Sequence, residues 1–206
     1  MPSLTNVRLS KRAFAYNPSI TVHGIAKLCC SPIDVGALAD YLMKPDSLAT
    51  ANVHSIAELH GLEITIKTIV VDNNSCNDED FTQLDLSPFV NLRRFEVGSL
   101  SFANTVKFLV YNLQFLESII IREKSFVDIT KSFEDSASDS DSESSIKECP
   151  KLRELRIGNY CFKYYYSFSL TDLSSLETFD MGNVKTSTES LVLSSFEMKR
   201  HYSSYA

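Results

Sequence analysis

Tryptophan is absent from the 206 residues, glycine and proline number six each, and there are four histidines. Each scarcity removes a class of function. No glycine-rich loop is present to cradle a phosphate, and neither H-E-x-x-H nor C-x-x-C occurs. His23, His54, His60 and His201 are too scattered for metal-ligand spacing. No acid–base pair assembles at an interpretable spacing, so the expectation is a non-enzymatic protein with no cofactor and no metal. No apolar run approaches the roughly 18 residues that a membrane span requires. The first residues, Met1-Pro-Ser-Leu-Thr-Asn-Val-Arg, lack the apolar core of a secretory signal. A clustered basic surface is missing too. The net charge is −6, and five of those negative charges fall on Glu134, Asp135, Asp139, Asp141 and Glu143, which leaves −1 for the rest of the chain. Such a body is a poor match for nucleic acid, which is held through its phosphates by clustered lysine and arginine. Five cysteines (29, 30, 76, 149 and 161), an odd number including an adjacent pair, read as reduced thiols of a cytoplasmic protein.

What the chain does have is apolar residues, 44% of the total, with thirteen Phe and nine Tyr, enough for a sizeable core. They recur with a period. Leu92-Arg-Arg-Phe-Glu-Val-Gly98, Leu116-Glu-Ser-Ile-Ile-Ile-Arg122, Leu152-Arg-Glu-Leu-Arg-Ile-Gly158 and Leu176-Glu-Thr-Phe-Asp-Met-Gly182 align without gaps as L-x-x-Φ-x-Φ-[G/R], where Φ is apolar. Leu92 and Leu116 are 24 residues apart, as are Leu152 and Leu176, whereas Leu116 and Leu152 are separated by 36. The surplus of a dozen coincides with an acidic serine tract. Five residues beyond the third apolar position stands Phe102, Phe126 or Phe162, and the fourth unit has Thr186 there. An earlier unit, Ile66-Lys-Thr-Ile-Val-Val-Asp-Asn-Asn-Ser-Cys76, fits L-x-x-L-x-L-x-x-N-x-[L/C], and Leu193, Phe196 and Met198 form a possible terminal half-unit.

Over residues 62–198 this pattern resembles the leucine-rich-repeat family, in an aromatic variant like those expanded in repeat proteins of protists and bacteria. The resemblance implies an α/β solenoid in which each unit adds one short strand to a parallel sheet. Leu92, Phe95 and Val97 would point inward, while the chain returns along a convex side where Phe102, Val110 and Leu113 match Phe162, Leu170 and Leu173. In the family Asn74 would satisfy backbone groups of its turn. Later units place Leu100, Lys124, Tyr160 and Val184 there, so an asparagine ladder is not expected.

Residues 1–61 read as an N-terminal helical cap, and 62–206 as the repeat domain. Ser31-Pro32 begins one helix, with Val35, Leu38, Ala39 and Leu42 on a single face. A second helix is expected from about Ser47 to His60, ending at Gly61. Residues 132–146 have the composition of a disordered insert. Within it Ser132, Ser136, Ser138 and Ser140 each precede an acid by three residues, a pattern suited to acidophilic kinases and equally produced by composition alone. On the expected concave face, Lys67, Arg93, Glu117, Arg153 and Glu177 form one row, and Val70, Glu96, Ile120, Arg156 and Asp180 another. Alternating signs imply cross-strand pairing, and Ile120 lies amid charges as a contact centre. From these rows, with Arg94 added beside Arg93, the candidate partner-binding residues are Arg93, Arg94, Glu96, Glu117, Ile120, Arg153, Arg156, Glu177 and Asp180. The functional expectation is a scaffold or adaptor that binds a protein or peptide. The alternatives are a regulatory repeat acting through the acidic serine loop, and a fragment of a larger protein.

Overall fold

The computed structural model describes residues 6–9, 20–22, 50–127, 141–182, 189–191 and 194–199. The architecture is α/β, with two parallel sheets and one short helix among these residues. The first strands are β1 (Asn6–Leu9), β2 (Ile20–Val22) and β3 (Thr50–Val53), followed by helix α1 (Ile56–His60). Then come β4 (Thr68–Val71), β5 (Gln83–Asp85), β6 (Arg94–Val97), β7 (Lys107–Tyr111), β8 (Ser118–Ile121) and β9 (Glu143–Lys147). The last four are β10 (Glu154–Ile157), β11 (Ser167–Thr171), β12 (Thr178–Met181) and β13 (Ser195–Lys199). From β4 onward successive strands alternate between the sheets. One sheet runs β1-β12-β10-β8-β6-β4-β3 and the other β2-β13-β11-β9-β7-β5.

The repeat segments stand side by side as their spacing requires. Phe95 lies beside Ile119, Ile119 beside Leu155 and Leu155 beside Phe179, while Val97, Ile121, Ile157 and Met181 form the next row. Both rows are buried, and so are Leu92, Leu116, Leu152 and Leu176, each three residues before its strand's first inward position. A returning stretch with inward residues two apart (Phe108 and Val110, Phe168 and Leu170) is a strand pattern, and these stretches make up the second sheet. The core lies between the two sheets, where Phe95 meets Phe108 and Phe179 meets Phe196, with centroids 6.1 and 5.9 Å apart.

The corner between the sheets is the most regular feature. Asn74, Leu100, Lys124 and Tyr160 have φ between 54° and 62°, and Cys76, Phe102, Phe126 and Phe162, two residues later, have φ between 52° and 58°. Left-handed backbone turns some main-chain groups away from strand partners, and a buried hydroxyl at the intervening position meets them. Ser101 Oγ donates to the Asp72 carbonyl at 2.7 Å and accepts from Ser75 N at 3.2 Å. Ser125 Oγ donates to the Gly98 carbonyl at 2.7 Å and accepts from Ser101 N at 3.3 Å. The Cys161 thiol takes the same place against the Arg122 carbonyl at 2.9 Å. A serine ladder thus occupies the structural role for which an asparagine ladder is lacking. Beneath it Phe126 stacks between Phe102 and Phe162, with centroids 5.0 and 4.9 Å away. Gly98 permits the close approach of turns, since a Cβ there would lie 2.5 Å from the Asn73 nitrogen.

Four expectations need correction. The helix expected over 47–60 reaches past the described residues, and of 50–60 only Ile56–His60 are helical, capped by Ser55, whose Oγ accepts from Glu58 N at 3.3 Å. Thr50–Val53 instead pair in parallel with Thr68–Val71, because Ala51 and Val53 continue the inward rows. The helix expected from Ser31 lies outside the described residues. The acidic insert ends before residue 143, since Glu143–Lys147 form β9, with Ser144, Ser145 and Ile146 buried. Five residues separate Phe102 from Lys107 and Phe162 from Ser167, but seventeen separate Phe126 from Glu143, so the surplus dozen falls between them. Phe196 and Met198 do not begin a new unit, because they pair with Phe168 and Leu170 in the second sheet. Finally, the fourth unit keeps the corner motif in a displaced position. Leu191 has φ 53°, and Ser190 Oγ donates to the Gly158 carbonyl at 3.1 Å.

Removing a ladder hydroxyl strands a carbonyl that is part-buried at Asp72 and buried at Gly98. Ser101→Ala and Ser125→Ala are each expected to lower unfolding free energy by about 1–3 kcal/mol in urea titrations. Ser144 is the contrasting case, since its buried Oγ has no hydrogen-bond partner among the described residues. Ser144→Ala is expected to leave stability unchanged or raise it by up to about 1 kcal/mol.

Candidate functional site

Because side chains alternate along a strand, a sheet whose inner face is core presents every other residue on its outer face. On the seven-stranded sheet the outward row through the strand centres reads Asn52, Val70, Glu96, Ile120, Arg156 and Asp180 in continuous register. A second outward row reads Thr68, Arg94, Ser118, Glu154 and Thr178. Arg93, Glu117 and Arg153 immediately precede their strands, and the backbone N–H of each of Glu117, Arg153 and Glu177 donates to the carbonyl of the residue before the neighbouring strand. All nine residues singled out from the sequence therefore belong to one surface.

The alternating charges pair, in part as their order implies. Arg93 Nη1 lies 3.2 Å from Glu117 Oε1, and Arg153 Nε is 4.0 Å from Glu177 Oε1. Along the central row Arg156 Nε is 3.9 Å from Asp180 Oδ2 and 2.7 Å from Glu154 Oε1, while Arg94 pairs with Glu96 on its own strand. The arginine side chains of these pairs are 49–69% exposed. Such exposed pairs contribute roughly 0–1 kcal/mol each, little enough that the charges are free to be re-partnered. Ile120 is half-buried between Glu96 and Arg156, less open than an isolated contact centre.

Reading the sequence by its first and third variable positions missed two contributors. Glu154 holds Arg156 and also accepts from Ser118 Oγ at 3.1 Å, so it organises the centre of the face. The second variable position, tabulated like the other two, would have revealed it. Arg122 stands where Gly98, Gly158 and Gly182 stand in the other units, and it lines an open groove of ≈ 520 Å³ with Asp72, Asn73, Glu96 and Ser99. The departure from glycine in L-x-x-Φ-x-Φ-[G/R] was its signal.

Ser132, Ser136, Ser138 and Ser140 lie outside the described residues. Among the described residues no helix is long and apolar enough to cross a membrane. Comparison with family models, with curated proteins and with solved structures found no match.

The buried thiols are chemically quiet. Burial pushes Cys76 up to about 12, helped by the nearby charges of Asp78 and Glu58. Cys149, in the core position that Leu113 fills one unit earlier, rises to about 11 through burial, and Cys161 to about 12 for the same reason. A raised thiol pKa favours the folded state while the thiol is protonated. That contribution is intact below pH 9 and is lost as the pH rises from 9 toward 11–12. Alkylation at pH 8 with peptide mapping is expected to leave Cys149 and Cys161 unmodified in the native protein and to label both in urea.

Proposed function

We propose that the chain is a leucine-rich-repeat-type solenoid, working as a non-enzymatic scaffold or adaptor that grips a protein or peptide on the outer face of its seven-stranded sheet. The carrying observation is the gathering of Arg93, Arg94, Glu96, Glu117, Ile120, Arg153, Arg156, Glu177 and Asp180 on one continuous surface. Both charge signs are presented within a few ångströms of each other around a half-buried apolar centre. That mixture suits the polar, two-signed surface of a folded protein or peptide better than a polyanion, which needs one sign. The weak internal pairing supports the reading, because each arginine can exchange its present carboxylate for one on a partner at small cost. The paired charges also hold neighbouring strands in register, and one row serves both ends. The buried, protonated cysteines are compatible with the cytoplasmic setting proposed for it.

Two chain alterations test the reading. Full-length protein carrying Arg153→Glu and Arg156→Glu is expected to lose at least tenfold in recovery of partners captured by the wild type, with an unchanged circular dichroism spectrum. Deletion of residues 128–140, which spares β9, is expected to leave capture intact. Unaltered capture by the charge-reversed protein, or its loss on deleting the acidic serine segment, would transfer the function to that segment.

A further inference from the structure

The ends at which the chain enters strands β4, β6, β8 and β10 carry a patch of one sign. Lys67, Arg93, Glu117 and Arg153 stand in one row, joined through backbone hydrogen bonds of 2.7–2.9 Å. Two residues earlier in each turn come Thr65, Asn91, Phe115 and Lys151, each immediately before a buried Ile66, Leu92, Leu116 or Leu152. Across these two rows Lys67, Arg93, Lys151 and Arg153 face a single acid, Glu117, in a chain of net charge −6. The first residues of the same strands, Thr68, Arg94, Ser118 and Glu154, add one charge of each sign and leave the excess intact.

Phe115 is the centre of the patch. Its half-buried ring has Arg93 Cζ 5.9 Å from the centroid and Lys151 Nζ 4.8 Å from it. Arg93 comes from the turn before and Lys151 from the turn after. A cleft lined by Lys67, Asn91, Arg93 and Phe115 opens beside the ring. Neither cation at the ring is committed to a carboxylate. Lys151 is exposed and has no carboxylate partner among the described residues. Arg93 has Glu117 at 3.2 Å, but both side chains are half exposed, so that carboxylate is replaceable.

Spacing selects the ligand. The two cations lie at most about 11 Å apart, the sum of their distances from the ring. Alternate residues of an extended chain are roughly 6.6–7 Å apart and point to the same side, so two carboxylates so placed can reach both cations. The ring between them covers the methylene groups of such side chains. A nucleic acid fits less well, because Glu117, Glu154 and Glu177 border the patch and would meet the next phosphates.

We propose that Arg93, Phe115 and Lys151 form a subsite for an acidic peptide segment of the type Glu-x-Glu, one carboxylate at Arg93 and the other at Lys151. As the place where a protein partner is held, the subsite rests on the outer-face reading, whose partner class it narrows.

The test uses the full chain labelled with nitrogen-15 and the probe acetyl-Glu-Ala-Glu-amide at low salt, with backbone amide shifts followed by NMR. Saturable shifts are expected at residues 91–93, 115–117 and 151–153, weakening as salt is raised. Acetyl-Gln-Ala-Gln-amide and inorganic phosphate should leave these amides in place at the same concentrations. Lys151→Glu, at an exposed position, should lower affinity for the probe roughly fivefold or more while the rest of the spectrum is unchanged. Phe115→Ala should weaken it too. Overturning results are no shifts, equal shifts with the glutamine peptide, phosphate binding as tightly as the probe, or probe shifts confined to residues 96, 120, 156 and 180. Partner capture separates the two readings. Capture lost with Arg156→Glu but kept with Lys151→Glu retains the outer face and removes the subsite. Probe binding at Phe115 with capture unaffected by Arg156→Glu retains the peptide site and removes the outer face.

Discussion

Everything in this fold depends on stacking one turn on the next at constant register, and the corner between the sheets enforces it. Parallel strands alone give weak registration, because a slip along the strand direction exchanges one inward row for another. The corner removes that freedom. Ser101 and Ser125 each tie the chain to the turn before through two side-chain bonds, one donated to a carbonyl and one accepted from a backbone N–H. The phenylalanine column beneath can stack at 4.9–5.0 Å only if Phe102, Phe126 and Phe162 lie directly above one another. Hydrogen bonds fix direction and rings fix height, so the outward rows of arginine and glutamate line up as a consequence.

That hierarchy explains what could be read from the sequence. The strand rows were legible because L-x-x-Φ-x-Φ is contiguous and its spacing is constant. The second sheet was not, because Phe108 and Val110 carry a two-residue alternation too short to stand out, and Ser144 breaks it where Phe108 and Phe168 keep it. The serine ladder was hidden for another reason. The family's asparagine position lies one residue earlier in the unit, while Ser75, Ser101, Ser125 and Cys161 look like ordinary loop residues until the carbonyls they meet are in place. At Thr50–Val53 the helical reading failed because local propensity lost to pairing with β4. The nine face residues were legible as a set, since their geometry follows from register alone. The role of Glu154 was not, because it depends on which side-chain rotamers meet.

The same constraint sorts the departures from regular spacing. Surplus residues fall between Phe126 and β9, and between Met181 and Ser190, both where the chain crosses from one sheet to the other. Within a strand, one extra residue would turn every following side chain to the opposite face. In a connection between sheets, lengthening costs only the slowly growing entropy of loop closure, about 0.6 kcal/mol for each doubling. A dozen added residues are therefore tolerated there whether or not they do anything. Their acidic, serine-rich composition keeps them from competing for the core, which is reason enough for it. The outer face of the seven-stranded sheet is different. Its charges are held in place by the register and contribute little to stability, so the arrangement that invites a functional explanation is the ordered one on the sheet.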